Sequence, residues 1–145
     1  MKPNLTIIKQ KTTIPATPEQ VYQAYTDPKK HTEFTDSKAT GKPTVGSKFT
    51  AWDEYIFGTY LELEKPTRIV QEWQTTDWPE NYPPSKLELT LKPTPEGTEL
   101  TLTQTSVPAE QANELIEGWT EFYWKPLKKY FKKPKTLTPK TKRLP

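Results

Sequence analysis

The longest periodic pattern of the chain lies near its C-terminal end, over residues 108–133. Apolar side chains recur there at the spacing of one helical face, at Ala112, Leu115, Ile116, Trp119, Phe122, Tyr123, Pro126, Leu127 and Tyr130. Pro108 suits the first turn, where its missing N–H is not needed. Pro126 removes an interior main-chain hydrogen bond, so we expect a kink close to it. The pattern predicts one long helix whose aromatic face is covered by a broad apolar surface.

The segments before this helix are short, and several alternate apolar with polar residues, as half-buried strands do. We predict strands over residues 5–14, 48–52, 55–64 and 68–75, and around 87–91 and 100–104. Two short helices are expected after the first strand. Thr17 as N-cap, Pro18 and Gln20 form a start signal for one of them, and residues 28–34 form the other. Short connections favour antiparallel pairing, so the predicted class is α+β, with a curved sheet of six to seven strands around the C-terminal helix.

The charges are distributed unevenly along the chain. Of its 21 basic and 18 acidic residues, nine basic and no acidic ones lie from Phe122 onward, which leaves twelve basic and eighteen acidic before it. Residues 134–145 are polar, rich in proline and basic, so we interpret them as a disordered tail after a domain of residues 1–133. A basic tail is also a feature of nucleic-acid-binding proteins, but this one has no accompanying motif. We therefore expect no nucleic-acid partner.

The amino-acid composition excludes some kinds of catalytic and metal site and makes others improbable. The chain has no cysteine, which excludes disulfides and thiolate catalysis, and a single histidine, His31, which favours neither a metal site nor a catalytic triad. His31 follows two lysines, and we expect it on the surface rather than acting as a general base. No catalytic residue, metal or cofactor is predicted. The N-terminus lacks the apolar stretch of a signal peptide and no apolar run is long enough to span a membrane, so we expect a cytoplasmic protein without a membrane partner.

Binding signals are stronger than catalytic ones. The residues expected to face the space between sheet and helix combine large apolar surfaces with one amide, as ligand pockets do: Trp52, Tyr55, Ile56, Trp73, Gln104, Trp119 and Tyr123. The alternative is that these side chains simply fill the core. Gly118 lowers helix stability, and we expect it to mark close approach by another backbone. Trp78, in a proline-rich loop, is expected either as a lid or as an exposed contact.

The order of short fragments along the chain resembles a known family. The fragments include Ile14-Pro15-Ala16, Val45-Gly46-Ser47-Lys48-Phe49, Ile69-Val70-Gln71-Glu72-Trp73, Asp77-Trp78-Pro79, Gly97-Thr98-Glu99-Leu100 and Gly118-Trp119. Together they resemble the activator of heat-shock-protein-90 ATPase homologues, within the START-like (SRPBCC) superfamily, over about residues 5–131.

This resemblance implies the helix-grip fold and leaves three functions open. Relatives in the wider superfamily bind lipids, hormones or polyketides, which implies a non-enzymatic domain that holds a small hydrophobic ligand. The family name implies a chaperone partner instead. A third alternative is a cyclase-like enzyme, because a few superfamily members catalyse cyclisation.

Overall fold

A computed structural model describes residues 4–132, so the predicted tail and the predicted domain boundary at residue 133 lie outside the described residues. The elements are β1 Leu5–Ile14, α1 Pro18–Thr26, α2 Pro28–Thr35, β2 Thr40–Gly41, β3 Lys48–Ala51, β4 Ile56–Glu64, β5 Arg68–Thr75, β6 Ser85–Thr94 and β7 Gly97–Pro108. A 3₁₀ turn at Ala109–Gln111 leads into α3 Ala112–Trp119, a π-helical turn Thr120–Trp124 and α4 Lys125–Lys132. The predicted element order is confirmed.

The seven strands form one antiparallel sheet in the order β1-β7-β6-β5-β4-β3-β2. β2 through β7 follow one another as a meander, while β1 joins the far edge beside β7. The central ladder pairs Ile69 with Leu89 and Leu89 with Leu102, so the alternating leucines predicted for β6 and β7 lie on one buried face. This sheet and the C-terminal helix confirm the predicted α+β helix-grip class.

Local sequence sets the start of α1 as predicted. The Thr17 hydroxyl accepts a hydrogen bond from the Gln20 amide at 3.2 Å, and the Gln20 side chain accepts one from the Thr17 amide at 2.9 Å. This reciprocal capping box satisfies two helix-start N–H groups. α1 then turns through Asp27, whose carboxylate caps α2 by accepting from the Lys29 amide at 2.9 Å.

The C-terminal helix, predicted as one long helix with a kink close to Pro126, contains a π-helical turn before that proline. A π-helical turn occupies Thr120–Trp124, with the Lys125 amide donating to the Thr120 carbonyl, directly before Pro126. A π turn accommodates an extra residue, so the consecutive Tyr123 and Trp124 are both buried. The expectation that the whole aromatic face is covered is wrong for Phe122, which is 56% exposed.

Two contacts fix the helix against the edge of the sheet. The Trp124 indole N–H donates to Gln10 Oε1 at 2.8 Å, and Gln10 Nε2 donates to the Ile116 carbonyl at 3.0 Å. Gln10 thus joins β1 to both sides of the π turn. The middle of the helix faces the central strands, where the Trp119 ring lies 5.4 Å from that of Trp73 on β5.

Candidate functional site

A cavity of about 640 Å³ lies between the sheet and the C-terminal helix. The β3–β4 connection, the end of β5, α3 and the π turn contribute its walls. It is lined by Trp52, Tyr55, Ile56, Trp73, Thr75, Asp77, Gln111, Glu114, Leu115, Glu117, Gly118, Trp119, Glu121, Phe122 and Tyr123. The loop after β5 is held to the helix because Gln111 Nε2 donates to the Asp77 carbonyl at 2.8 Å.

Six of the seven side chains predicted for this site line the cavity: Trp52, Tyr55, Ile56, Trp73, Trp119 and Tyr123. Gln104 does not line it. Its amide is fully buried behind Trp119, where Gln104 Oε1 accepts from the Trp119 indole N–H at 2.9 Å. Whether any of these side chains binds a ligand stays a prediction.

Gln104 belongs to a chain of hydrogen bonds that positions the inner wall. Its Nε2 donates to Ser85 Oγ at 3.0 Å, and the Ser85 hydroxyl donates to the Trp73 carbonyl at 2.6 Å. The chain therefore joins the Trp119 indole to the backbone of Trp73, across β7, β6 and β5. Buried polar groups that are satisfied in this way specify one arrangement of the side chains around them.

Aromatic rings fill the space around Trp119. Its ring stacks on Trp124 at 5.4 Å between centroids and 15° between planes, and lies 4.8 Å from Tyr123 and 5.4 Å from Trp73. Trp119 is only 2% exposed, so it is a core residue that also presents one edge to the cavity. Core packing and cavity lining, which the sequence left as alternatives, are combined in this side chain.

The β3–β4 connection carries an unusual backbone. Trp52, Asp53 and Glu54 have φ values of 53°, 59° and 74°, a left-handed conformation that side chains other than glycine seldom adopt. The turn is held by hydrogen bonds from the Asp53 amide to the Lys38 carbonyl at 3.0 Å and from the Tyr55 amide to the Trp52 carbonyl at 3.1 Å. It places Trp52 and Tyr55 on the cavity wall.

His31 is buried, and the prediction that it lies on the surface is wrong. Its exposed fraction is 6%, with Nδ1 2.9 Å from the Tyr25 carbonyl and Nε2 2.9 Å from the Tyr123 hydroxyl. The neighbouring lysines indicated a polar segment, but α2 turns His31 inward, where its ring lies against those of Tyr25, Phe34 and Tyr123.

The contacts of His31 define its protonation. Because a carbonyl only accepts, Nδ1 carries the proton and Nε2 accepts from the Tyr123 hydroxyl. Burial lowers the pKa of His31 to about 4, and burial raises the pKa of Tyr123 above its usual value. Both groups are therefore neutral at pH 7, and the pair fixes Tyr123 as part of the cavity wall.

Two polar atoms of the lining residues lack partners. Among the described residues, the indole N–H groups of Trp52 and Trp73 are buried and make no well-formed hydrogen bond, although the Trp52 indole lies close enough to the Tyr123 hydroxyl to oppose the rise of its pKa. Leaving a buried donor unsatisfied is costly, so such groups are uncommon. Trp78, by contrast, donates to the Pro83 carbonyl at 2.8 Å and packs edge-on against Trp73 at 6.0 Å.

Carboxylates surround the mouth of the cavity. Glu114, Glu117 and Glu121 lie at spacings of three and four residues on one side of the helix, and all three are exposed. Asp77 faces them from the loop after β5 and accepts a hydrogen bond from the Tyr55 hydroxyl at 2.8 Å. Burial, followed by this hydrogen bond, raises the pKa of Tyr55.

Nine of the lining residues were not predicted from the sequence: Thr75, Asp77, Gln111, Glu114, Leu115, Glu117, Gly118, Glu121 and Phe122. The signal for several was present, because an acidic stripe runs beside the apolar helix face at helical spacing. The expectation for Gly118 is wrong. A Cβ at this glycine would meet only Phe122 Cδ2, at 3.9 Å, so no other backbone approaches it and it borders open space instead.

Neither a metal-binding cluster nor a membrane-spanning element is found in the described part of the chain. No three His, Asp or Glu side chains within residues 4–132 converge as metal ligands. None of the helices in the same range has the length and apolar content needed to cross a membrane.

The family model described as Activator of Hsp90 ATPase homolog 1-like protein matches residues 15–132. The chain belongs to this family. Activator of 90 kDa heat shock protein ATPase homolog 1 from Homo sapiens is 28% identical over 124 residues, covering 86% of this chain and 36% of that protein. Homolog 2 from Mus musculus is 30% identical over 112 residues, covering 77% of this chain and 34% of that protein. This member thus spans about a third of the length of these relatives.

Solved structures show the same fold. An HSP90 activator from Plasmodium falciparum superposes with a TM-score of 0.78 at 25% identity, covering 88% of this chain and 97% of that one. CalU16 from Micromonospora echinospora superposes with a TM-score of 0.70 at 25% identity, covering 87% and 73%. The resemblance inferred from the ordered fragments is therefore confirmed for both family and fold.

Proposed function

We propose that this domain binds a small, mainly hydrophobic ligand in the cavity between the sheet and the C-terminal helix, without catalysing a reaction. The observation that carries the proposal is the cavity itself. Its volume of about 640 Å³ falls within the range of roughly 300–1,000 Å³ that is typical of small-molecule sites. Its walls carry six aromatic side chains with polar groups around them, which is the composition such sites have.

Two further features support a binding role. Strained left-handed backbone, as at Trp52, Asp53 and Glu54, concentrates at functional sites because the surrounding structure must maintain it at a cost. The indole N–H groups of Trp52 and Trp73 are donors without partners among the described residues, and a ligand oxygen would satisfy them after a small movement of the rings that cover them.

The proposal is tested by filling the cavity without disturbing the fold. Gly118 borders the open space, and leucine has a higher helix propensity than glycine. Gly118→Leu should therefore fold and fill part of the cavity, whereas Gly118→Ala, the matched control, adds a single methyl group. The assay is the fluorescence of Nile red, a neutral hydrophobic probe, titrated with each protein.

We expect saturable Nile red binding to wild type and to Gly118→Ala, and at least about tenfold weaker binding to Gly118→Leu, a difference of about 1.4 kcal/mol. Equal binding by all three proteins would place the probe elsewhere and contradict the proposal. Circular dichroism melting of each variant verifies that the loss comes from the cavity and not from unfolding.

Family membership favours a second candidate, association with a chaperone ATPase. The relatives from Homo sapiens and Mus musculus are named as activators of a 90 kDa heat-shock-protein ATPase. Phe122, 56% exposed on the helix, is a large apolar side chain available to a protein partner. A pull-down and an ATPase assay with the host's chaperone of this class test the candidate. Stimulation that is lost in Phe122→Ala supports it, and no binding at micromolar concentrations contradicts it.

A further inference from the structure

The charge around the cavity narrows the class of ligand, an inference that rests on the ligand-binding function proposed above. Of the described residues that line the cavity, four are carboxylates and none is a lysine or an arginine: Asp77, Glu114, Glu117 and Glu121. Three of these side chains follow the helix at i, i+3 and i+7, and the fourth lies across the mouth. The charged side chains that the described residues contribute to the lining are therefore all acidic.

The rim carboxylates differ in their partners from one acidic cluster on the sheet. Glu62, Glu64 and Glu88 all contact the Arg68 guanidinium, which neutralises much of their charge. Within residues 4–132, Glu121 is the one rim carboxylate with such a partner, Lys125 Nζ at 2.7 Å.

The remaining rim carboxylates have no cationic partner within residues 4–132. Within residues 4–132, Glu114 and Glu117 form no salt bridge, and Asp77 is bound by the neutral Tyr55 hydroxyl. Three of the four carboxylates are therefore without a cation among the described residues.

The aromatic side chains inside the cavity favour a cationic ligand independently of the carboxylates. Faces of tryptophan and tyrosine attract cations through the ring quadrupole, and sites that combine aromatic rings with carboxylates recognise amines and quaternary ammonium groups. Trp52, Tyr55 and Phe122 lie on the lining together with the rim carboxylates. Trp52 and Phe122 form an edge-to-face pair at 5.5 Å between centroids. The aromatic rings therefore favour a positively charged group, as the rim carboxylates do, and they lie deeper in the apolar part of the cavity.

The indoles of two lining residues add unsatisfied donors next to the cavity. Trp73 is 2% exposed and its N–H, like that of Trp52, is buried without a partner among the described residues. Both nitrogens are covered by neighbouring atoms, so a ligand oxygen would bind them only after a small movement of the rings. An N–H donor does not bind a cation, so the positive group of a ligand belongs at the rim.

We propose that the ligand is an amphiphilic organic cation, an amine or quaternary ammonium group on an apolar body, rather than a fatty acid or another anion. The apolar body occupies the aromatic cavity, and the cationic group lies between the side chains of Asp77, Glu114 and Glu117. Carboxylate ligands are disfavoured because the same rim repels them.

The test compares three probes that share a ten-carbon chain and differ in charge. Decyltrimethylammonium, decanol and decanoate are each used to displace Nile red from the full chain, below their aggregation concentrations and at low ionic strength. We expect the cation to bind about tenfold or more tightly than decanoate, with decanol between them. The difference should shrink with added salt, because the rim carboxylates are exposed.

Variants localise the effect. The double change Glu114→Gln and Glu117→Gln should reduce the affinity for the cation severalfold relative to that for decanol. Glu96→Gln with Glu99→Gln, in the β6–β7 hairpin, is the matched control for net charge and should keep the preference.

The outcomes separate this inference from the function on which it rests. Equal binding of the three probes, or a preference that both double variants reduce alike, would overturn the cationic class and leave hydrophobic ligand binding intact. Failure of all three probes to displace Nile red from a site that Gly118→Leu closes would overturn the cationic class. If Nile red itself does not bind, the proposed function and this inference fall together.

Discussion

Truncation of Trp119 tests whether the inner wall of the cavity is built as part of the core. Trp119 is 2% exposed, contacts the rings of Trp73, Tyr123 and Trp124, and donates to Gln104. Trp119→Ala removes all of these contacts and enlarges an existing cavity. Large-to-small changes of buried aromatic residues cost about 3–5 kcal/mol, and we expect a value in that range. A side chain that merely bordered open space would cost about 1–2 kcal/mol.

A gentler change separates the hydrogen bond from the packing. Trp119→Phe keeps an aromatic ring but removes the indole N–H, which leaves Gln104 Oε1 buried without its donor. This loss should cost about 1–3 kcal/mol. Adding Gln104→Leu to Trp119→Phe removes the stranded acceptor as well, but it also takes the amide donor from Ser85. We therefore expect the double variant to recover part of the loss and to be more stable than the sum of the two single changes predicts.

The assay is urea denaturation followed by far-ultraviolet circular dichroism, because tryptophan fluorescence itself changes in these variants. The slope of free energy against urea should stay the same, so that the shift of midpoint reports stability. A cost below about 2 kcal/mol for Trp119→Ala, or additive effects of the two changes in the double variant, would refute the reasoning about this wall.

Three further predictions use the same stability measurement. The pKa of His31 is about 4 in the folded protein against 6.5 in the unfolded chain, so folding favours the neutral imidazole, and the free energy of unfolding should fall by about 3 kcal/mol as the pH drops from 6.5 to 4. Wild type should show this pH dependence of stability and His31→Gln should lack it, whereas equal slopes for the two proteins would contradict the prediction. Gly58→Ala should lower the free energy of unfolding by about 1–3 kcal/mol, because the added Cβ would collide with the Glu72 carbonyl, whereas Gly118→Ala should raise it by about 1 kcal/mol. A Gly58→Ala protein more stable than Gly118→Ala would contradict the structure. Phe122→Ala should cost less than about 1 kcal/mol, since that side chain is 56% exposed, and a core-sized loss would show that it is covered.

Much of the fold was predictable because the hydrophobic periods and the turn residues agree. The alternation at Leu87, Leu89 and Leu91 has one interpretation, a half-buried strand, and all three side chains are buried. The capping sequence at Thr17 and Gln20 fixes a helix start through local hydrogen bonds alone. Such features depend on neighbours in sequence, so the sequence reveals them.

Features that depend on tertiary contacts were not predictable in the same way. His31 lies in a polar segment, and its burial results from the packing of Tyr25, Phe34 and Tyr123 around it, which come from three different elements. The π-helical turn before Pro126 likewise reflects the need to bury two consecutive aromatic residues against the sheet. No local pattern encodes either outcome.

The candidate site was predictable in its residue types but not in its boundaries. Aromatic side chains from three strands and one helix were expected together, and the structure brings them together. Gln104 alternates correctly with its strand neighbours yet lies behind Trp119, because the depth of a side chain depends on what packs in front of it. The acidic rim became visible only when Asp77 and the helix were placed on opposite sides of one mouth.

The five tryptophan indole N–H signals offer the most direct test of the central claim, that the space between sheet and helix receives a ligand. In a nitrogen–proton correlation spectrum titrated with decanol, we expect large shifts for the indoles of Trp52 and Trp73, whose rings line the cavity. We expect small shifts for Trp78 and Trp124, which do not line it and whose indoles are bound to Pro83 and Gln10. Saturable shifts of the first pair without shifts of the second pair are the expected result. Unchanged signals for both at saturating decanol, or shifts confined to the second pair, would contradict it.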